Sequence, residues 1–170
     1  MDAEISKVVG RVRSFAAEAK ASGISVAIGS AGATKGESVP PSLIRRILAD
    51  VPDVRLALDA GNRHFADRPS DALQLASDVN GRIAHVDLRD WDGDGSFEVT
   101  IGVGRAPNMA LVRALSAGGY DGWYTLAGVI GDAYLGICRQ VSLIRWWRSQ
   151  TGETKVRRFG STTQHKKEAI

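Results

Sequence analysis

The run Asp90-Trp91-Asp92-Gly93-Asp94-Gly95 opens like a calcium-binding loop, with oxygen-bearing side chains at positions 1, 3 and 5 and glycine at 6. The twelfth position, where such a loop needs a bidentate glutamate, is Ile101, and a strand precedes the run. It therefore reads as a solvated turn between strand and helix. Asp59 closes the apolar run Val54-Arg55-Leu56-Ala57-Leu58, and His64 follows in a polar loop that would line the same mouth. His85 is expected on the layer-packing side of its strand, and His165 lies in a polar tail. Gly29-Ser30-Ala31-Gly32 follows a strand as a phosphate cradle would, but Lys35 lacks the Gly-Lys-Ser/Thr context, so a plain connecting loop is expected. Cys138 falls in apolar helical periodicity and is expected in the core. No nucleophile elbow or Ser/His/Asp order is visible. Trp146 and Trp147, flanked by Arg145 and Arg148, point about 100° apart on a helix, so one is expected in the core and one at the surface.

These residues must be positioned by alternating strands and helices. Residues 2–22 carry Ile5, Val8, Val9, Val12, Phe15, Ala16 and Ala19 at helical steps, and Gly23 stops the helix. A short strand at 24–28 and a glycine-rich loop at 29–38 follow. Pro40 and Pro41 open a helix over 42–49. A strand at 54–58, a helix at 69–79, a strand at 82–88, an acidic loop at 90–96 and a helix from Pro107 to Gly118-Gly119 come next. A strand at 123–126 and a helix over 132–149 complete the pattern. One helix and then four strand–helix units imply a parallel sheet with right-handed crossovers. The rhythm predicts an α/β fold, a partial (β/α) barrel of four units over residues 1–150. A complete barrel has eight units.

Four segments in order resemble the C-terminal half of the xylose isomerase-like TIM barrels, the sugar phosphate isomerase/epimerase superfamily. Leu56-Ala57-Leu58-Asp59-Ala60-Gly61-Asn62 resembles its strand ending in Asp-x-Gly-His or Asp-x-Gly-Asn. Ile83-Ala84-His85-Val86-Asp87-Leu88-Arg89-Asp90 is similar to its His-Val-His-Leu-Lys-Asp strand. Gly102-Val103-Gly104-Arg105 resembles its Leu-Gly-x-Gly segment, and Gly119-Tyr120-Asp121-Gly122 its Gly-Tyr-Asp-Gly strand start. The resemblance implies a divalent metal, Mg²⁺, Mn²⁺ or Zn²⁺, held at the barrel mouth by Glu, Asp, His and Glu, with the glutamates moving protons between adjacent sugar carbons. Here those positions are Gly29, Asp59, Asp87 and Ala127. Asp59 and Asp87 remain as candidate metal ligands that would hold a hard cation weakly. Asn62, His64, Arg89 and Asp90 are the candidate contacts to a carbohydrate-like ligand. Loss of both glutamates predicts impaired or absent isomerase chemistry.

Composition narrows the classes. With a single cysteine among 170 residues there is no disulfide framework and no four-thiolate zinc site, and a cytoplasmic setting is expected. No apolar run reaches membrane-spanning length, and the first residues lack a signal-peptide pattern. The net charge is +3, but residues 151–170 contribute five basic and two acidic side chains. The rest is neutral, so nucleic acid is not expected as a partner, and the basic tail is expected to be disordered. Three readings stay open: a divergent isomerase or epimerase completed by another chain or a second copy, a non-catalytic binding or regulatory protein pairing through open sheet edges, and a fragment of a longer barrel.

Overall fold

A computed structural model describes residues 2–30, 39–61, 68–92, 98–126 and 133–150. Helix α1 (Asp2–Ala21) leads to strand β1 (Val26–Gly29), helix α2 (Pro41–Asp50) and strand β2 (Val54–Asp59). Helix α3 (Pro69–Asp78), a 3-10 turn (Asn80–Arg82) and strand β3 (Ile83–Leu88) follow. A two-stranded ribbon, β4 (Asp90–Trp91) with β5 (Glu98–Val99), precedes helix α4 (Asn108–Ala117), strand β6 (Trp123–Leu126) and helix α5 (Ala133–Ser149). The predicted tail, 151–170, lies outside the described residues.

The four long strands form one parallel sheet in the order β1-β2-β3-β6. Spatial order follows chain order, and same-handed crossovers then place every helix on one face of the sheet. Burial agrees. Val54, Leu56 and Leu58 of β2 and Val86 and Leu88 of β3 are fully buried with Ile44 of α2, Leu75 of α3 and Leu111 of α4. Side chains alternate across a strand, so Arg55 and Ala57 of β2 and His85 and Asp87 of β3 face the other side, where burial is incomplete. One face is a core, and the other is a wall only partly covered by the described residues. Among the described residues, the edge strands β1 and β6 each have a strand neighbour on one side only.

Local signals explain the element ends. Gly23 adopts φ +71°, and Ile24 donates its N–H to Ala19 O at 2.8 Å while Gly23 donates to Lys20 O at 3.0 Å. This left-handed cap ties up the Ile24 amide, so the first strand starts at Val26 instead of Ile24. Arg82 is held in the 3-10 turn, donating to the carbonyls of Leu48, Val51 and Val54, so the third strand begins at Ile83. The loop expected over 90–96 is in part a ribbon, with Asp90 opposite Val99 and Trp91 opposite Glu98. Cys138 is exposed rather than core, because α5 turns Gln140, Ile144 and Trp147 inward. The two adjacent tryptophans do split as expected: Trp147 is 3% exposed and Trp146 is 53% exposed. No helix among the described residues is long and apolar enough to cross a membrane.

Tyr120 anchors the start of β6 by donating its hydroxyl to Trp123 O at 2.9 Å, with its ring edge-on to Tyr124. Burial pushes its phenol up from the ordinary 10.0 to about 12. The folded state therefore holds this proton more tightly than the unfolded chain. Its contribution is fully present below pH 10.0 and is lost as pH rises through about 12. Urea titrations at stepped alkaline pH should show stability falling across that window. Tyr120→Phe should flatten the fall, and an unchanged alkaline limb in the variant would exclude Tyr120 as its cause.

Candidate functional site

In sheets of this kind ligands gather at the C-terminal ends of the strands. That end of β2 and β3 brings together Asp59, Asp87 and Arg89. Asp59, the last residue of β2, stands directly opposite Asp87 of β3 in the ladder. The Asp59 side chain is 4% exposed. Its Oδ1 accepts the Gly61 N–H at 2.8 Å, and its Oδ2 lies 3.4 Å from Arg89 Nε. The Asp59 backbone N–H donates to Ser30 Oγ at 2.8 Å, which ties the end of β1 to the end of β2. Ser30 thus has a structural role at the strand end; residues 31–38 of that loop lie outside the described residues.

Gly61 is what allows Arg89 to reach Asp59. A Cβ at Gly61 would collide with Cγ and Cδ of Arg89 and with its carbonyl oxygen, so the arginine stem lies directly across the glycine backbone. The Gly61 carbonyl also accepts the Trp91 indole N–H. The Arg89 carbonyl accepts a hydrogen bond from the buried Asn108 side chain at 3.0 Å. Arg89 is thus fixed from both ends.

Asp87 is partly open. His85 sits two residues earlier on the same face, with Nε2 3.4 Å from Asp87 Oδ2. His85 therefore looks into the concave wall with Asp87, contrary to the expected layer-packing side, because the two share strand parity. Trp123 is paired with His85 and Thr125 with Asp87 in the β3–β6 ladder, which extends this wall to the sheet edge. Trp123 is 82% exposed. Neither the wall position of Trp123 nor that of Arg55 was singled out by sequence reasoning. The strand assignments and period-2 alternation alone would have placed both there.

Asp90, a candidate substrate contact, is engaged within the fold. It is fully buried, and its carboxylate accepts four backbone N–H groups. Oδ1 takes Trp91 at 3.0 Å and Ala106 at 2.9 Å, and Oδ2 takes Gly102 at 2.8 Å and Gly104 at 3.1 Å. At Asp90 the solvated-turn reading is corrected: its buried carboxylate folds the 101–106 turn onto the ribbon. Ile101 is likewise buried in the core. Asn62 and His64 lie outside the described residues, as do Ala127 and the 93–97 part of the acidic run.

The donor set can be tested against the divalent metal that the resemblance implies. Gly29 offers no side-chain ligand, and Asp59 has one oxygen on a backbone amide and the other facing a guanidinium. No group of three or more His, Cys, Asp or Glu among the described residues is arranged to hold a metal ion. The described residues therefore do not fit a tightly held divalent cation.

No family model matches the sequence, and no curated protein matches it. Solved structures do share its fold. A D-tagatose 3-epimerase-like protein superimposes with a TM-score of 0.67 at 16% identity, over 86% of this chain and 55% of its own. The 3-keto-D-glucoside 4-epimerase of E. coli gives 0.65 at 19% identity, over 85% and 54%. A xylose isomerase-like TIM barrel protein from Mycobacterium smegmatis, solved with magnesium, gives 0.62 at 18% identity, over 89% and 52%. The chain has the fold of xylose isomerase-like TIM barrels and spans about half the length of the structures it matches.

Proposed function

We propose that this chain is a divergent half of a xylose isomerase-like barrel that binds a sugar or related polyol on its concave wall and does not itself catalyse isomerisation. The observation that carries this reading is the state of Asp59. The residue at the strand end where the family places a metal ligand is bonded internally, while the neighbouring wall keeps polar and aromatic groups suited to a polyol. Trp123 offers an exposed ring for the apolar face of a sugar, and Asp87, His85 and Thr125 offer hydroxyl partners along the adjacent register.

The open edges of β1 and β6 support a closing partner, and the helices say what it must contain. In a complete barrel one helix roofs each strand-to-strand step. Here both edges already carry one: α1 packs on β1 and α2, and α5 packs on α4. A second copy of this chain would bring its α5 and this chain's α1 to the same groove. The closing unit that fits supplies about four strands and three helices, whether from a companion polypeptide or from chain beyond these 170 residues.

The test uses tryptophan fluorescence with ketoses and sugar phosphates as probes. Saturable quenching is expected with at least one of them, and Trp123→Leu should abolish it. Absence of saturation with all of them would remove the binding reading. A second reading, a divergent epimerase active once the barrel is closed, is favoured by the opposed register of Asp59 and Asp87. Incorporation of solvent deuterium at a sugar carbon, detected by proton NMR and lost in Asp87→Asn, would favour that reading instead.

A further inference from the structure

We infer that Arg89 supplies, within the chain, the positive charge that a divalent cation would otherwise bring to Asp59, so that the mouth is built around an internal ion pair. This rests on the half-barrel reading only for the meaning of the Asp59 position; the ion pair itself stands on geometry. Arg89 Nε is 3.4 Å from Asp59 Oδ2, with Asp59 4% and Arg89 33% exposed at the side chain. The guanidinium is not a loose surface group that a metal could push aside. Its stem crosses Gly61 at a distance that only a residue without Cβ permits. Its backbone carbonyl is held by Asn108, and Trp91 closes over the same glycine through the Gly61 carbonyl.

The chemistry is a competition for one carboxylate. A divalent cation needs oxygen ligands at about 2–2.6 Å and gains little from a carboxylate already sharing its charge with a guanidinium. Binding would require expelling Arg89 from a partly buried position, leaving a positive charge beside the incoming metal. Arginine cannot deprotonate to relieve this. Among the described residues, the neighbouring donors Asp87 and His85 are already engaged with each other at 3.4 Å. Removal of the guanidinium should therefore uncover a weak cation site made of Asp59 and the opposed Asp87.

Isothermal titration with Mn²⁺ tests this on the intact chain. The wild type should show no saturable binding below about 1 mM, and a chelator should leave its melting temperature unchanged. Arg89→Met should acquire Mn²⁺ affinity at least about tenfold tighter than wild type, and adding Asp59→Asn in that background should abolish the gain. Arg89→Lys keeps the charge and should stay metal-free, which separates charge from shape should Arg89→Met fail to fold. Saturable wild-type binding at micromolar Mn²⁺, lost in Asp59→Asn, would overturn the inference. It would leave the sugar-binding reading to its own fluorescence test.

Discussion

Asp90→Ala is expected to lower unfolding stability by about 3–5 kcal/mol, the largest single loss in the molecule. The carboxylate is the acceptor for the backbone amides of Trp91, Gly102, Gly104 and Ala106. An orphaned buried donor costs about 1–3 kcal/mol, and water can reach part of this turn, so the four do not sum in full. Domains have only about 5–15 kcal/mol in total, so the loss consumes a large share of it. Asp90→Asn keeps one acceptor oxygen and should cost about half as much. Urea denaturation with unchanged slope reads both values. A loss under about 1 kcal/mol for Asp90→Ala would mean that the 101–106 turn is held by something else.

Asp59→Ala should cost about 2–4 kcal/mol. Breaking a buried pair is worth about 3–5 kcal/mol because the surviving charge is stranded, and the figure is discounted here because Arg89 is a third exposed. The Gly61 amide also loses its acceptor. Arg89→Met alone leaves Asp59 with that amide but without its countercharge. The double variant Asp59→Leu with Arg89→Met replaces both groups with apolar ones and should be less unstable than the two single losses added together. Additive losses would show that the two side chains act independently.

Much of the fold was legible because its signals are local. Periodicity placed α1, α3, α4 and α5 to within a few residues, and the short apolar runs at 54–58 and 82–88 marked their strands. What escaped depended on contacts distant in sequence. The carbonyls that hold Arg82 lie 28 to 34 residues away, and the Asp90 carboxylate reaches amides 12 to 16 residues away. An acidic run with glycines has the same composition whether it is solvated or nested, and only the fold decides. Cys138 looked apolar and periodic, yet the helix phase is set by Ile144 and Trp147. At the mouth, the residue types of Asp59 and Arg89 were visible, but their pairing was not. That contact crosses from β2 to β3 and depends on the missing Cβ of Gly61.

We propose a half-barrel whose β1 and β6 edges, unpaired among the described residues, stay open in the isolated chain. Hydrogen–deuterium exchange read alongside light scattering on the same sample tests it most directly. The prediction is an 18.2 kDa monomer in which amides of β1 and β6 exchange at least about tenfold faster than those of β2 and β3. A stable dimer with β1 and β6 protected as strongly as the central strands would contradict it.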